Sequence, residues 1–125
     1  MMMTLLQVAA GGAIGSVLRF GVSAGMARGA PPGFPLGVLT VNALGSFLIG
    51  VVAVLAFHRG FDHLSPFLIT GVLGGFTTFS TFSLEALTLV ERGALGAALS
   101  YVGLTLLLSL GAVALGAWAA RALVT

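Results

Sequence analysis

The chain has 125 residues, of which 58% are hydrophobic and 6% are charged, with a formal net charge of +2 and a mean hydropathy of +1.18. A water-soluble domain carries about a quarter charged residues, so this composition excludes one and indicates an integral membrane protein. A spanning helix needs about 20 apolar residues, which leaves room for four helices in one transmembrane domain, residues 1–125. The absence of cysteine excludes disulfides and thiolate metal sites, and the few charges do not indicate nucleic-acid binding.

The first predicted helix covers about residues 4–28 and carries an arginine inside its apolar run. Two small-xxx-small spacings, Gly11–Gly15 and Gly21–Gly25, let helix backbones approach closely in a membrane. Arg19 would cost at least about 2.5–3.5 kcal/mol at the bilayer centre. It therefore snorkels to the interface, faces a wet vestibule or anchors a partner, or it lies near the interface because the helix starts late. The first residues lack the basic segment of a signal peptide, so we expect no cleavage.

The second predicted helix covers about residues 36–57, after a loop at 29–35 whose prolines are incompatible with a helix interior. Asn42 and Ser46 are four residues apart and therefore share a face. An intramembrane asparagine either holds helices together or lines a polar path, and the sequence leaves both open. The loop 58–63 contains two histidines but no third ligand, which favours an interfacial loop over a metal site.

The third predicted helix covers about residues 64–92 and contains a break. Its central stretch, 71–83, reads Gly-Val-Leu-Gly-Gly-Phe-Thr-Thr-Phe-Ser-Thr-Phe-Ser. The glycine pair costs roughly 1 kcal/mol per residue relative to alanine, and the threonine pair is a moderate helix former. Backbone groups freed inside a bilayer must be covered by protein or by a wet cavity. Phenyl rings and hydroxyls clustered at such a break indicate a permeation site rather than packing alone.

Polar side chains follow helical spacing after the break and in the fourth predicted helix, about residues 94–124. The first stripe, at spacings of three, four and three, comprises Thr78, Thr81, Glu85 and Thr88. The second stripe, at spacings of four, comprises Tyr101, Thr105 and Ser109. Membrane hydroxyls usually bond back to their own backbone, and a phenylalanine pair such as Phe79 and Phe82 is usually core. Two stripes together with Asn42 nevertheless favour a polar path.

The embedded polar groups support ion passage better than catalysis, because the sequence has no nucleophilic triad, phosphate-binding loop or paired carboxylates. We therefore expect no enzyme. Rows of hydroxyl and amide groups replace the water around a small ion. A phenyl edge carries the positive end of the ring quadrupole, and it attracts an anion without the fixed charge that would prevent release. The residues thus predict an anion path without naming the anion.

Three motifs resemble those of the Fluc/CrcB family of microbial fluoride channels, in the same order over nearly the whole chain. They are Gly-Gly-Ala-Ile-Gly-Ser-Val-Leu-Arg-Phe at 11–20, Gly-Val-Leu-Thr-Val-Asn-Ala-Leu-Gly-Ser-Phe at 37–47, and the stretch 71–83. The resemblance implies an all-α subunit with four transmembrane helices and a broken third helix, paired as an antiparallel, dual-topology homodimer in the inner (plasma) membrane. It also implies passive, selective export of fluoride that lowers its toxicity.

The resemblance assigns roles to individual residues of this chain. The implied fluoride pathway comprises Asn42, Phe79, Phe82, Thr81, Glu85, Tyr101, Thr105 and Ser109. Arg19 would belong to a vestibule, and the backbone carbonyls of Gly74 and Thr77 would hold a structural sodium ion at the dimer centre. The family often has serine where this chain has Thr81 and Thr105, which keeps the hydroxyl and adds a methyl group.

Two other functions remain open for a four-helix membrane protein. A small dual-topology exchanger trades protons for cationic drugs, but it needs an embedded carboxylate, typically in its first helix. Here the first helix carries Arg19, and Glu85 lies toward the far end of the third. The third possibility is a non-conducting assembly subunit.

The loop charges predict no preferred orientation in the membrane. Four helices put Arg59 and Arg121 on the side of both termini, and Arg28 and Arg92 on the other side. Because the two sides are balanced, the positive-inside rule gives no direction. A chain inserted both ways could pair with itself as an antiparallel, isologous dimer.

Overall fold

The computed structural model describes residues 1–29 and 33–125, and all regular structure in these ranges is helical. Its first, second and last helices are α1 (Met2–Ala27), α2 (Leu36–Arg59) and α5 (Leu95–Val124). Together with the segment Asp62–Glu91, they are long and apolar enough to cross a membrane. The prediction of an all-α chain with four transmembrane helices is therefore confirmed. Part of the predicted loop at 29–35, residues 30–32, lies outside the described ranges.

The third segment consists of several helical pieces. A 3₁₀ turn (Asp62–Leu64) leads into a π-helix (Pro66–Leu73), which continues directly into the single turn of α3 (Gly74–Phe76). Thr77 is extended, with φ −85° and ψ 157°, and this conformation ends α3. The chain becomes helical again in α4 (Ser80–Glu91). The break therefore lies at 77–79, just after the glycine pair rather than at it.

The glycines before the break allow close packing against α1. A Cβ atom on Gly75 would lie 2.9 Å from the carbonyl oxygen of Gly12, and a Cβ atom on Gly15 would collide with the carbonyl oxygen of Val72. The two backbones are thus in direct contact, as the first small-xxx-small spacing predicts. The second spacing, Gly21–Gly25, has no such neighbour in this subunit, because a Cβ atom at either end would meet nothing within 4 Å.

Helices α2 and α5 run in the same direction and also meet backbone to backbone. A Cβ atom on Gly50 would collide with the Val113 carbonyl oxygen, and one on Gly116 would collide with the Phe47 carbonyl oxygen. At the other end of this pair, α4 joins them around a buried apolar cluster that includes Tyr101, which has no exposed surface. The α2–α5 pair and α4 thereby form the frame on which the polar residues lie.

Many large apolar side chains remain exposed on the subunit, among them Val17, Phe20, Phe79, Leu107 and Trp118. A monomeric soluble protein rarely exposes apolar patches on this scale. The outer surface is therefore one that lipid or another protein subunit covers.

The explanation that α1 starts late and leaves Arg19 near the membrane interface is wrong, because α1 begins at Met2. It lies eight residues before Ala27, about 12 Å from the end of the helix at 1.5 Å per residue. Its side chain is half-buried.

Candidate permeation site

The break in the third segment is held to α2 by the side-chain amide of Asn42. Its Nδ2 donates to the carbonyl oxygen of Thr78 at 2.8 Å, and its Oδ1 accepts from the backbone N–H of Thr78 at 2.8 Å. Both residues are buried. An amide that offers one donor and one acceptor to the backbone C=O and N–H of the same residue replaces the two hydrogen bonds that the broken helix lacks there. Asn42 therefore holds two helices together.

The hydrogen bonds at the break leave two backbone carbonyls without their helical donors. In a continuous α-helix the amide of Thr78 would bond to the carbonyl of Gly74, and the amide of Thr81 to that of Thr77. Here the Thr78 amide donates to Asn42, and the Thr81 amide donates to the hydroxyl of Thr78 at 3.2 Å. The carbonyls of Gly74 and Thr77 are thus both deprived of these partners at the break.

The predicted stripe of Thr78, Thr81, Glu85 and Thr88 is wrong in its first member. Thr78 precedes α4, so it is not on the helical face, and its hydroxyl instead accepts the hydrogen bond from the second residue of that helix. Thr81 is exposed, and Thr88 donates its hydroxyl to the carbonyl of Leu84 at 2.8 Å. Among the three stripe members on α4, Glu85 is the one with a hydrogen bond to another side chain, that of Tyr101.

A cavity of about 240 Å³ lies beside the break, between α2 and α5. We call it the hydroxyl cavity; it is lined by Asn42, Ser46, Thr77, Thr78, Phe79, Phe82, Thr105, Leu106, Ser109 and Leu110. It brings together five of the eight predicted pathway residues, namely Asn42, Phe79, Phe82, Thr105 and Ser109. Glu85 and Tyr101 lie beyond Phe82, and Thr81 does not line the cavity.

Two hydroxyls in this cavity are buried without a hydrogen-bond partner in the described part of the chain. They are Thr105 Oγ1 and Ser109 Oγ, one turn apart on α5. Other hydroxyls of the subunit bond back to the carbonyl four residues earlier, as Ser83 and Thr88 do. Buried polar groups are nearly always paired. Both residues line the hydroxyl cavity, so this unpaired pair of hydroxyls beside it is suited to a ligand that accepts hydrogen bonds.

A row of aromatic rings crosses the end of the hydroxyl cavity. The centroids of Phe79 and Phe82 are 5.5 Å apart, and those of Phe82 and Tyr101 are 5.2 Å apart. Phe34 continues the row, with its ring edge-on to Tyr101 at 5.8 Å. Phe82 is 6% exposed, whereas Phe79 is 74% exposed and stands out from the subunit surface.

A second, larger cavity of about 430 Å³ lies on the far side of these rings. We call it the Glu85 cavity; its lining includes Ser23 of α1, Phe34, and Glu85, Thr88 and Arg92 from α4 and its end. The hydroxyl of Tyr101 donates to Glu85 Oε1 at 3.3 Å. The Phe82 and Tyr101 rings therefore separate the hydroxyl cavity from the only embedded carboxylate that the sequence singled out.

Some features of the site are not apparent in the sequence. Ser46 does carry a signal, since it shares a face with Asn42. No sequence signal identifies Thr78 as the partner of Asn42, because the contact uses the backbone groups of Thr78, which every residue has. Phe34 lies within the proline-containing loop 29–35, where no helical periodicity marks it. Arg19, expected in a vestibule, does not line either of the two cavities.

The fold and the site define a class: a multi-pass membrane protein with a broken helix, unpaired buried hydroxyls and phenyl rings around a cavity. The family model for CrcB-like protein, Camphor Resistance (CrcB), matches residues 6–117. The chain belongs to the CrcB family.

Relatives that match along nearly their whole length carry the same name. The fluoride-specific ion channel FluC of Ruegeria sp. is 59% identical over 126 residues, covering 100% of both chains. The FluC of Roseobacter denitrificans is 53% identical over 122 residues, covering 96% of this chain and 97% of the relative. The FluC of Agrobacterium fabrum is 50% identical over 117 residues, covering 92% and 94%.

The Asn42–Thr78 contact predicts the effect of Asn42→Asp. The carboxylate keeps the acceptor for the Thr78 amide but faces the Thr78 carbonyl without a donor, and an unpaired buried group costs about 1–3 kcal/mol. We expect a lower melting temperature of the purified protein together with loss of ion flux from liposomes. Ser46→Ala, one turn away on the same face, is the control and should melt like wild type. An Asn42→Asp protein with wild-type melting and flux would contradict the role of this contact.

Proposed function

We propose that this chain is a passive, fluoride-selective ion channel. It lets fluoride leave the cytoplasm down its electrochemical gradient and so lowers fluoride toxicity. It is a multi-pass membrane protein, in bacteria of the plasma membrane, and it is not an enzyme. Membership of the CrcB family and similarity to fluoride-specific ion channels at 50–59% identity support the proposal.

The observation that carries the proposal is the pair of unpaired hydroxyls, Thr105 Oγ1 and Ser109 Oγ, in the hydroxyl cavity. A hydroxyl donates one hydrogen bond and rotates to suit its acceptor. Fluoride is a small, strongly hydrated anion, so its passage requires closely spaced donors to replace water. These two hydroxyls, with the edges of Phe79 and Phe82, are such a set without a fixed positive charge.

The exchanger alternative lacks a comparable observation. The embedded acid, Glu85, lies on α4 and accepts a hydrogen bond from Tyr101. The first helix, where such exchangers typically hold their acid, contains Arg19 and no acidic residue. Direct comparison of fluoride, chloride and proton movement separates the two functions.

Removing the two hydroxyls should affect the melting temperature and the fluoride flux in different ways. Thr105→Val with Ser109→Ala removes two unpaired buried groups while nearly preserving shape, so the melting temperature should stay the same or rise. Fluoride efflux from proteoliposomes should fall at least about tenfold, as expected for the loss of roughly 1.4 kcal/mol or more of ion stabilisation in the path.

Ser83→Ala is the matched control, because its hydroxyl bonds back to Phe79 and is exposed. It should leave fluoride efflux unchanged. Wild-type efflux of fluoride should exceed that of chloride in the same vesicles. Undiminished efflux in the double variant would show that the two hydroxyls do not contact the ion, and absence of fluoride efflux from wild type would reject the channel function.

We further propose that the working unit is an antiparallel homodimer. Phe79 is 74% exposed on one subunit although it lines the hydroxyl cavity, so a second subunit would cover it. The balanced loop arginines, Arg59 and Arg121 against Arg28 and Arg92, leave both insertions equally favourable. A two-fold axis in the membrane plane then gives two equivalent ion paths.

The dimer proposal predicts that orientation bias impairs function. Three lysines added after Thr125 should drive subunits into one orientation, and fluoride resistance of the host should fall. Co-expression with a variant biased the other way, for example by lysines in the loop around Gly93, should restore it. Three glutamines in place of the lysines are the control. Full resistance despite a demonstrated single orientation would rule out the antiparallel arrangement.

We also propose that the carbonyls of Gly74 and Thr77 hold a structural sodium ion where the two breaks meet. The support is that both carbonyls have lost the amides that would bond to them in a helix. Such carbonyls in lipid need a partner, and a hard cation surrounded by oxygens suits them. Bound sodium would tie the two breaks together rather than pass through the path.

The sodium proposal predicts a specific ion dependence of stability. A ligand that binds only the folded dimer raises its melting temperature with concentration. Protein dialysed into N-methyl-glucamine salts should melt several degrees lower than in sodium salts of equal ionic strength, and titrated sodium should restore the melting temperature. A melting temperature independent of sodium over this titration would contradict the site.

A further inference from the structure

We propose that a groove between the C-terminal halves of α2 and α5 binds an anionic phospholipid, with an acyl chain in the groove and the phosphate on Arg121. Among the described residues, this groove shares no lining residue with the hydroxyl cavity or the Glu85 cavity. The inference concerns a lipid partner of the membrane protein, and it does not depend on which ion the protein carries.

The groove is a third cavity, of about 440 Å³, which we call the Arg121 groove. Its lining comes from both helices at spacings of four. It includes Ile49, Ala53 and Phe57 of α2 and Val113, Ala117 and Arg121 of α5. Residues four apart lie on one face of a helix, so each helix contributes one wall. The walls are apolar along their length and become polar only at the end where both helices finish.

The floor of the Arg121 groove is closed by direct contact between the two helices. A Cβ atom on Gly50 would collide with the carbonyl oxygen of Val113 and would lie 2.8 Å from the backbone nitrogen of Ala117. The groove therefore does not lead inward between the helices. It opens on the outer surface of the subunit, where Ala53 and Phe57 are exposed. An acyl chain lying there makes van der Waals contacts with both walls.

The depth of the groove is close to that of one leaflet. On each helix its lining spans eight residues, about 12 Å at 1.5 Å per residue, and one leaflet supplies about 15 Å of a bilayer's hydrocarbon core. The polar end lies near the ends of α2 and α5, which finish at Arg59 and Val124. Trp118, beside the groove, is 66% exposed, and tryptophan is enriched at the headgroup level.

The polar end of the groove is positive. It is formed by Arg121 and His58, in the last turns of α5 and α2. A guanidinium makes paired, charge-assisted hydrogen bonds with phosphate oxygens, and an imidazole can donate another. The ring of His58 stands edge-on to that of Phe57, with centroids 5.3 Å apart.

The charge of the lining favours an anionic headgroup over a zwitterionic one. None of the chain's three acidic residues lines the groove. The described lining therefore offers no carboxylate to the ammonium group of a zwitterionic phospholipid, whereas Arg121 attracts the net negative charge of an anionic one. Basic pockets between transmembrane helices bind anionic headgroups in this way.

The chain carries its own reporter for this site, because it contains a single tryptophan. Trp118 directly follows Ala117 of the groove lining and comes three residues before Arg121. Bromine atoms on a lipid acyl chain quench indole fluorescence on contact. Quenching of Trp118 thus reports which lipid lies beside the groove.

The test reconstitutes the full chain into vesicles that contain equal parts of phosphatidylglycerol and phosphatidylcholine. Only the brominated lipid differs between samples, so the surface charge is constant, and equal leaflets make the orientation of the protein irrelevant. At about 0.1 M salt we expect phosphatidylglycerol to be preferred beside Trp118 about fivefold, as one basic residue near the surface supports. Arg121→Gln should reduce the preference to near one, and Arg121→Lys should keep part of it.

Two matched controls separate the groove from the rest of the surface. Arg59→Gln removes an exposed arginine on the same side that does not line the groove, and it should keep the wild-type preference. Ala53→Leu fills the groove and should at least halve the preference. Ala114→Leu adds the same bulk at an exposed position outside the groove and should not. Circular dichroism and size-exclusion chromatography check that each variant is folded.

Equal quenching by both lipids in wild type would overturn the inference, as expected if a second protein copy covers the groove. A preference that survives Arg121→Gln, or that Arg59→Gln removes equally, would indicate general attraction to the surface and also overturn it. So would a preference that Ala53→Leu leaves intact, because the acyl chain would then lie elsewhere. Inorganic phosphate, compared with chloride at equal ionic strength, should not change the preference; its loss would assign the site to soluble phosphate instead.

Discussion

The two hydrogen bonds between the side-chain amide of Asn42 and the backbone N–H and C=O of Thr78 are the contact on which the site depends. Inside a bilayer no water replaces a missing backbone hydrogen bond, so a helix break there requires protein partners. Asn42 supplies both a donor and an acceptor. With Thr78 fixed, its hydroxyl receives the Thr81 amide, and α4 starts in a defined direction. The positions of Phe79 and Phe82 follow from that direction.

The same contact determines where the break falls. The sequence indicates it at the glycine pair, since Gly74 and Gly75 are poor helix formers. In the structure the pair is helical, because its missing side chains let the segment pack directly on α1. Packing thereby outweighs propensity over α3. The preceding π-helix, Pro66–Leu73, ends immediately before the glycine pair, and π-helical turns are frequent at functional sites.

Hydropathy and spacing predicted most of the architecture and part of the site. Runs of about 20 apolar residues require membrane helices, so four helices follow from composition. Thr105 and Ser109 share a face by spacing alone. Whether they bond back to their own helix depends on side-chain rotamers, which no periodicity encodes. Thr78 continues the spacing of Thr81 in the sequence, but the break lies between them and removes it from the helical face.

The distribution of charge along the path explains how an acid is compatible with an anion channel. The groups around the hydroxyl cavity are neutral donors and ring edges, which attract an anion weakly enough to release it. Glu85 lies beyond the Phe82 and Tyr101 rings, and Tyr101 donates to its carboxylate. On that side Arg92 lines the same cavity. The negative charge of Glu85 and the positive charge of Arg92 therefore partly compensate each other in the Glu85 cavity. Neither charge lies beside the unpaired hydroxyls, where an ion would lose its water.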